Sequence, residues 1–318
     1  MGNEREAIVF VFNGLLESGK TVMINRFFDN PQIRDGKNIL LIVCEEGIEE
    51  YDEVKLAQKH ISLVTLDEED DFTAERLAAL EREYRPDVVA IEYNGMWSQT
   101  LPVEITYPQG WQLAEVMTTV DSTTFDMYTK NDLRAFMIEE YKITDIVVFN
   151  RFTDDDKRIA YRSIVKAANM NAQVVFEYTD GRIDAQFDAS PFDLTQDEVK
   201  VDDGDFGVFY FDIMDHVAAY AGKTVEFRAL CVKINAMRMP GFLVGRFAMT
   251  CCANDIQFIS IYAKNDKAFK NRAWYHVRAK VVPIDASVYG EAAGEQLPAL
   301  EVLSLTPAEA PEQEVVTF

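Results

Sequence analysis

Cysteine is scarce in this 318-residue chain, with only Cys44, Cys231, Cys251 and Cys252. Four are too few for a disulfide framework, and the adjacent pair Cys251–Cys252 bridges poorly, so a reducing compartment is expected. Basic residues are outnumbered, 31 Lys and Arg against 54 Asp and Glu, giving a formal net charge of −23. That deficit excludes a broad basic face for nucleic acid or an anionic membrane. It leaves room for a local anion site made of backbone amides and one lysine. No run of about 20 apolar residues, the length a spanning helix needs, occurs. The apolar stretch Ile8–Leu16 is short, interrupted by Asn13 and Gly14, and follows no basic segment. A cytoplasmic protein without direct membrane insertion is the expectation. Histidine numbers three, and His60 and His216 show no ligand spacing.

What the chain does have is apolar material, 48% hydrophobic and 12% aromatic residues, which rules out wholesale disorder. Its length suggests two domains at ~150 residues each. Over the first 180 residues short apolar runs alternate with amphipathic stretches. The runs are Ile8–Phe12, Ile39–Cys44, Val88–Ile91, Val116–Val120, Ile146–Phe149 and Val174–Phe176. Continuous apolarity marks strands covered on both faces, and the rhythm predicts an α/β domain, a doubly wound, mostly parallel sheet. Residues 181–205 are acidic and read as a linker; from Asp180 to Asp205 there are nine acids and two bases. Residues 206–306 hold a short helix (about Gly207 to Tyr220) and five strand-like runs, which fit a small β-rich, OB-like barrel or a compact sandwich. The Pro- and Glu-rich residues 307–318 read as a mobile tail.

The strongest local signal is Gly14-Leu15-Leu16-Glu17-Ser18-Gly19-Lys20-Thr21, a full G-x-x-x-x-G-K-[ST] match expected by chance in roughly 0.01 chains of this length. It follows an apolar strand and opens a helical run, Thr21–Phe28. Gly14 and Gly19 let backbone N–H groups turn toward phosphate oxygens, and the helix N-terminus adds the positive end of its dipole. Lys20 is placed to reach the outer phosphates and Thr21 to ligate Mg²⁺. The nucleotide-binding set is therefore Gly14, Glu17, Ser18, Gly19, Lys20, Thr21 and Val22. A second strand, Val88–Ile91, delivers Glu92 to the carboxyl edge of the sheet as the magnesium-side carboxylate, with Gly95 three residues on. A third, Ile146–Phe149, ends in Asn150, Arg151 and, four residues past Asn150, Asp154. An Asn and an acid after such a strand suit guanine, whose N1–H and N2 amine a carboxylate accepts, so GTP is preferred over ATP.

These pieces, in this order, resemble the CobW-type P-loop GTPases over about residues 7–178. The likeness rests on FNGLLESGKT, LIVCEEGIEEYDE (Leu41 to Glu53), IEYNGM (Ile91 to Met96), TTVDSTTF (Thr118 to Phe125), DIVVFNRF (Asp145 to Phe152) and NMNAQVVF (Asn169 to Phe176). In that family the second loop is a nucleotide-sensing switch reading Asn-Glu-x-Gly. Glu45 and Gly47 match it and Cys44 replaces Asn. The resemblance implies that Glu45 approaches Mg²⁺ or the attacking water, and that the chain binds and hydrolyses GTP in connection with metal homeostasis. The family's Cys-x-Cys-Cys metal motif is absent, since residues 54–86 contain no cysteine.

The segment from Gly245 to Asp255, with Gly245-Arg246-Phe247 and Cys251-Cys252, is similar to the soluble C-terminal domain of uncharacterised bacterial proteins associated with permeases. That likeness spans about residues 222–283 and implies a permease or metalloprotein partner. On a regular strand Cys251 and Cys252 face opposite ways and cannot both ligate one ion. With a bulge and a third ligand from Asp255, His276 or Cys231 they would hold Zn²⁺. The sequence thus predicts a GTP hydrolase with Lys20, Glu45 and Glu92 as its catalytic residues. Two alternatives stand beside it, a nucleotide-gated adaptor with little catalysis and a zinc-carrying metallochaperone.

Overall fold

The computed structural model describes residues 6–45, 47, 51–131, 133–184, 190–233, 241–249, 256–264, 268–289, 294 and 296–317. Its chain divides into two units: Met1–Asp155 with Ala168–Phe187, and Asp156–Ala167 with Asp188–Phe318.

The apolar runs of the first unit form strands. In chain order these are β1 (Ala7–Asn13), β2 (Ile39–Val43), β3 (Ile61–Thr65), β4 (Val88–Glu92), β5 (Trp111–Asp121), β6 (Ile146–Phe152), β7 (Gln173–Tyr178) and β8 (Ile183–Asp184). They make one sheet in the order β3-β2-β4-β1-β5-β6-β7-β8. Every pairing from β3 through to β7 is parallel, and β8 alone runs antiparallel to its neighbour β7. All five side chains of β2 are buried, as continuous apolarity requires of a strand covered on both faces. The intervening helices are α1 (Lys20–Asp29), α2 (Pro31–Arg34), α3 (Glu53–Gln58), α4 (Ala74–Tyr84), α5 (Leu101–Glu104), α6 (Ser122–Tyr128) and α7 (Leu133–Lys142), while α8 (Arg158–Ala168), between β6 and β7 in the chain, groups almost wholly with the second unit. α4 shows the local logic. Thr73 caps it by accepting from the Arg76 amide at 3.2 Å, and Leu77 and Leu80 point into the core while its charged residues stay out.

Register decides where the chemistry sits. Phe12 lies beside Glu92 of β4, and Asn13 beside Thr118 of β5. The chain therefore leaves β1 at the carboxyl edge of the sheet, between two neighbours that end in polar residues. Ligands of open α/β sheets bind at that edge.

The second unit is built on β10 (Thr224–Lys233), β11 (Phe242–Met249), β12 (Ile256–Lys264), β13 (Ala273–Asp285) and β14 (Gln296–Pro307), which follow β9 (Glu198–Lys200), α9 (Phe206–Asp215) and α10 (Val217–Tyr220). The order β11-β12-β14-β13-β10 closes through a β10–β11 pairing, with β12 and β14 parallel, to give the expected five-stranded barrel. β10 alternates strictly, with Val225, Phe227, Ala229 and Cys231 inside. The GRF segment is structural. Arg246 is 1% exposed, donating to Arg228 O at 3.0 Å and Asp203 O at 2.8 Å, pairing with the Asp203 carboxylate, and stacking near Phe206 and Trp274.

Two expectations need correction. The stretch read as a linker, 181–205, contains β9, which pairs in parallel with β10, and both Val199 and Val201 are buried in the second core. Their period-2 alternation with Glu198, Lys200 and Asp202 is that of a half-buried strand, hidden in sequence by the surrounding acids. The tail 307–318 is likewise not loose throughout, because β15 (Val315–Thr317) adds to β11 in parallel and buries Val316. Its two β-branched valines suit a strand, and the edge of β11 supplies the unpaired backbone groups. β3 was also unread. It lies at the sheet edge, and its Ile-Ser-Leu-Val-Thr run is only partly apolar.

Candidate active site

The loop between β1 and α1 is shaped by glycine. Gly14 has φ +133°, and a Cβ there would lie 2.4 Å from Thr119 O. A Cβ on Gly95 would lie 2.3 Å from Gly14 O, so the segment after β4 passes directly against the phosphate loop. The loop is braced from below. Asn13 accepts from the Gly14 amide at 2.9 Å and donates to Gln99 at 2.9 Å, Gln99 holds Gly95 O at 2.8 Å, and Ser18 and Thr119 hydroxyls share a 2.7 Å bond. α1 starts at Lys20 with Gly19 as its N-cap, no side-chain cap and no acid in its first turn. Its first amides and positive dipole end are thereby left for an anion.

Lys20 is 3% exposed and its ammonium is held by Gly14 O at 2.7 Å, Leu15 O at 3.1 Å and the Glu45 carboxylate at 2.5 Å. Thr21 donates its hydroxyl to Glu92 Oε1 at 2.8 Å, and Tyr51 donates to Glu92 Oε2 at 2.6 Å. Burial raises the Glu92 carboxyl above its ordinary range, while the bonds from Tyr51 and Thr21 and the charge of Lys20 oppose that rise. The residues fit Mg²⁺. A buried carboxylate and a hydroxyl, both hard oxygen donors, already converge beside the α1 N-terminus. A cavity of ≈ 150 Å³ opens over them, lined among others by Gly19, Lys20, Thr21, Val22, Glu45 and Glu92.

The third loop touches the first. Asn150 donates to Ser18 O at 2.6 Å, and its Oδ1 is buried without a partner among the described residues. Arg151, at φ +51°, reaches Glu17 O at 3.3 Å and pairs with Asp121. Asp154 is exposed and lines neither this cavity nor the larger one beside the loop. The structure thus gathers Glu17, Gly19, Lys20, Thr21, Val22, Glu45, Glu92 and Arg151 around one cavity, ties Asn150 to the loop beneath it, and leaves Asp154 apart. Burial, with Glu92 and Glu45 nearby, pushes the Cys44 thiol well above its ordinary range. Cys251 and Cys252, and with them the zinc expectation, lie outside the described residues, as does Asp255. Among the described residues no cluster of three or more His, Cys, Asp or Glu is placed to hold a metal ion. Tyr51 was missed because no spacing rule flags a tyrosine six residues past Glu45; only its membership of the switch-like loop hinted at it.

A phosphate loop between β1 and α1 of a parallel sheet, with a strand-end carboxylate on the neighbouring strand, defines a P-loop nucleotide-binding protein. The chain belongs to a family of P-loop GTPases: residues 8–176 match the CobW/HypB/UreG nucleotide-binding domain. Residues 178–316 match the DUF1980 C-terminal domain. Similar solved structures include the hydrogenase maturation factor HypB from Archaeoglobus fulgidus, at 18% identity over 56% of this chain and 83% of that one, with a TM-score of 0.40. Another is the Zn(II)-bound YjiA GTPase from E. coli, at 14% identity over 81% of this chain and 87% of that one, with a TM-score of 0.39. Among curated proteins none matches this chain. No helix among the described residues is long and apolar enough to cross a membrane.

Proposed function

We propose that the chain hydrolyses GTP in a Mg²⁺-dependent manner and uses the hydrolysis as a switch. The observation that carries this reading is the convergence of Lys20, Glu45, Thr21 and Glu92 at the start of α1. The amides of the Gly14–Thr21 loop receive the phosphates, and Lys20 stabilises charge on the transferring phosphoryl group. Thr21 and Glu92 would hold Mg²⁺, which neutralises phosphate charge when bound. Glu45 stands on Lys20 in this state. For the ammonium to turn to a phosphate, Glu45 must swing away, which frees it to orient the metal's water or the attacking one. Tyr51, bonded to Glu92, would be released in the same movement. The Cys44–Glu53 loop is therefore the element whose position depends on the nucleotide. Asn150 and Arg151 brace the phosphate loop from the guanine side, and Asp154 would close on the base once it is seated. The Cys44–Glu53 loop has no arginine in its sequence, so slow unaided turnover is expected.

The GTPase domain is proposed to cover residues 1–180 and to signal to a permease or metalloprotein partner, a reading that rests on the resemblance read from the Gly245–Asp255 segment. Phosphate release from GTP and from ATP, with and without Mg²⁺, tests the enzyme. A parent protein that releases phosphate from GTP and a Lys20→Ala variant that is slower by at least 100-fold support it. Equal rates in parent and variant sink it.

A further inference from the structure

A cavity of ≈ 460 Å³, larger than the one over Lys20, adjoins the phosphate loop in the first unit. Leu15–Ser18, the end of β5, α6 and α7 wall it. It adjoins the smaller cavity through Leu16, Glu17 and Arg151 but is lined by none of Lys20, Thr21, Glu45 or Glu92. Its volume falls within the ~300–1,000 Å³ typical of small-molecule sites.

One wall residue is anomalous. Glu140, on α7, is 2% exposed, and its Oε1 has no hydrogen-bond partner among the described residues. A buried carboxyl oxygen left unpaired is costly, and a ligand that pairs it recovers the loss. The charged groups of the wall are Glu17, Asp121, Glu140 and Arg151, and Arg151 is already engaged by Asp121. Ser18 and Thr119 satisfy each other at 2.7 Å. With Asp121 held by Arg151 and Thr123, what is left to recognise a ligand is the carboxyl groups of Glu17 and Glu140 and an apolar surface from Leu16, Val120, Tyr128 and Met137.

We propose that this cavity binds a small organic cation, an ammonium or guanidinium on an apolar chain, with its charged head on Glu140. Burial pushes the Glu140 carboxyl up to about 8, with Glu45 adding to the rise and Lys20 and the Gly14 amide opposing it. A cation entering beside Glu17 adds the missing counter-charge, and the Glu140 carboxyl ionises as the ligand seats. Because Leu15–Ser18 form one wall, an occupied cavity restrains the backbone that cradles phosphate. Cation and nucleotide therefore alter each other's affinity by the same factor.

The test is isothermal titration of the full chain with agmatine, a guanidinium on a four-carbon chain with a terminal amine, and with valeramide as a neutral counterpart. Expected are saturable agmatine binding with proton release near neutral pH, valeramide at least tenfold weaker, and a tenfold or greater loss of agmatine affinity in Glu140→Gln. Thr124→Phe, which narrows the cavity and keeps the carboxyl, should weaken agmatine as well and serves if the Glu140 variant does not fold. Absence of agmatine binding at millimolar concentration, equal affinity for valeramide, or unchanged affinity in either folded variant overturns the proposal. A GTP titration of the same samples keeps the two readings apart. Protein that binds GTP but not agmatine refutes only the cation site.

Discussion

Replacing Glu45 by Gln should tighten nucleotide binding, even though the glutamate belongs to the proposed catalytic set. In the structure Glu45 occupies Lys20 at 2.5 Å, with the two side chains 10% and 3% exposed. Unit charges at that separation attract by roughly 7 kcal/mol at an effective dielectric of about 20. Desolvation of both ions cancels most of this, leaving about 1.5–3 kcal/mol net for a charge-assisted bond. Glutamine keeps the shape and a neutral bond of about half the strength, so the competitor for Lys20 weakens by about 1–2 kcal/mol. That corresponds to roughly 5- to 30-fold tighter binding of a non-hydrolysable GTP analogue. Loss of a negative charge beside the triphosphate acts in the same direction. If the displaced carboxylate also orients water or metal, kcat falls in the same variant, so affinity and turnover move apart. Calorimetric titration at fixed Mg²⁺, followed by single-turnover phosphate release, measures both. Unchanged or weaker analogue binding in Glu45→Gln would refute the argument that this carboxylate guards the lysine.

Three further outcomes follow from the geometry. Glu92→Gln should raise the Mg²⁺ concentration needed for half-maximal GTP hydrolysis by tenfold or more, since it removes the charged member of the Thr21–Glu92 pair; an unchanged Mg²⁺ titration counts against its role. Arg246→Lys should destabilise the second unit by about 1–3 kcal/mol in denaturant, because the shorter ammonium cannot bond Arg228 O, Asp203 O and the Asp203 carboxylate together, while Arg228 still pairs with that carboxylate. His216 sits 3.0 Å from Asp212, whose hydrogen bond raises its pKa. A folded value above the unfolded one stabilises below the unfolded pKa and is lost as pH rises through the folded value. Thermal melts of the parent should therefore fall across that window, and His216→Gln should flatten the dependence; parallel curves would remove His216 as the cause.

The sequence by itself determined the elements whose physics is local. A strand of unbroken apolar residues ending in Asn13, a glycine at each bend and a lysine opening a helix specify the phosphate loop without reference to anything distant, and the five strand-like runs from Thr224 onward specify a small β-rich domain, whose closure into a barrel only the β10–β11 pairing settles. Glu92 was legible too, because strand-end carboxylates of parallel sheets emerge at one edge. Short, charged or edge elements were not. The alternation of Val199 and Val201 was masked by acids, and β15 acquires meaning only from the vacant edge of β11. Only the tertiary structure decided which groups share a space. It set Glu45 on Lys20 and Tyr51 on Glu92, and it buried Glu140, nearly fifty residues past Glu92, beside the phosphate loop. These are pairings between segments brought together by strand register, and register depends on how the whole sheet packs.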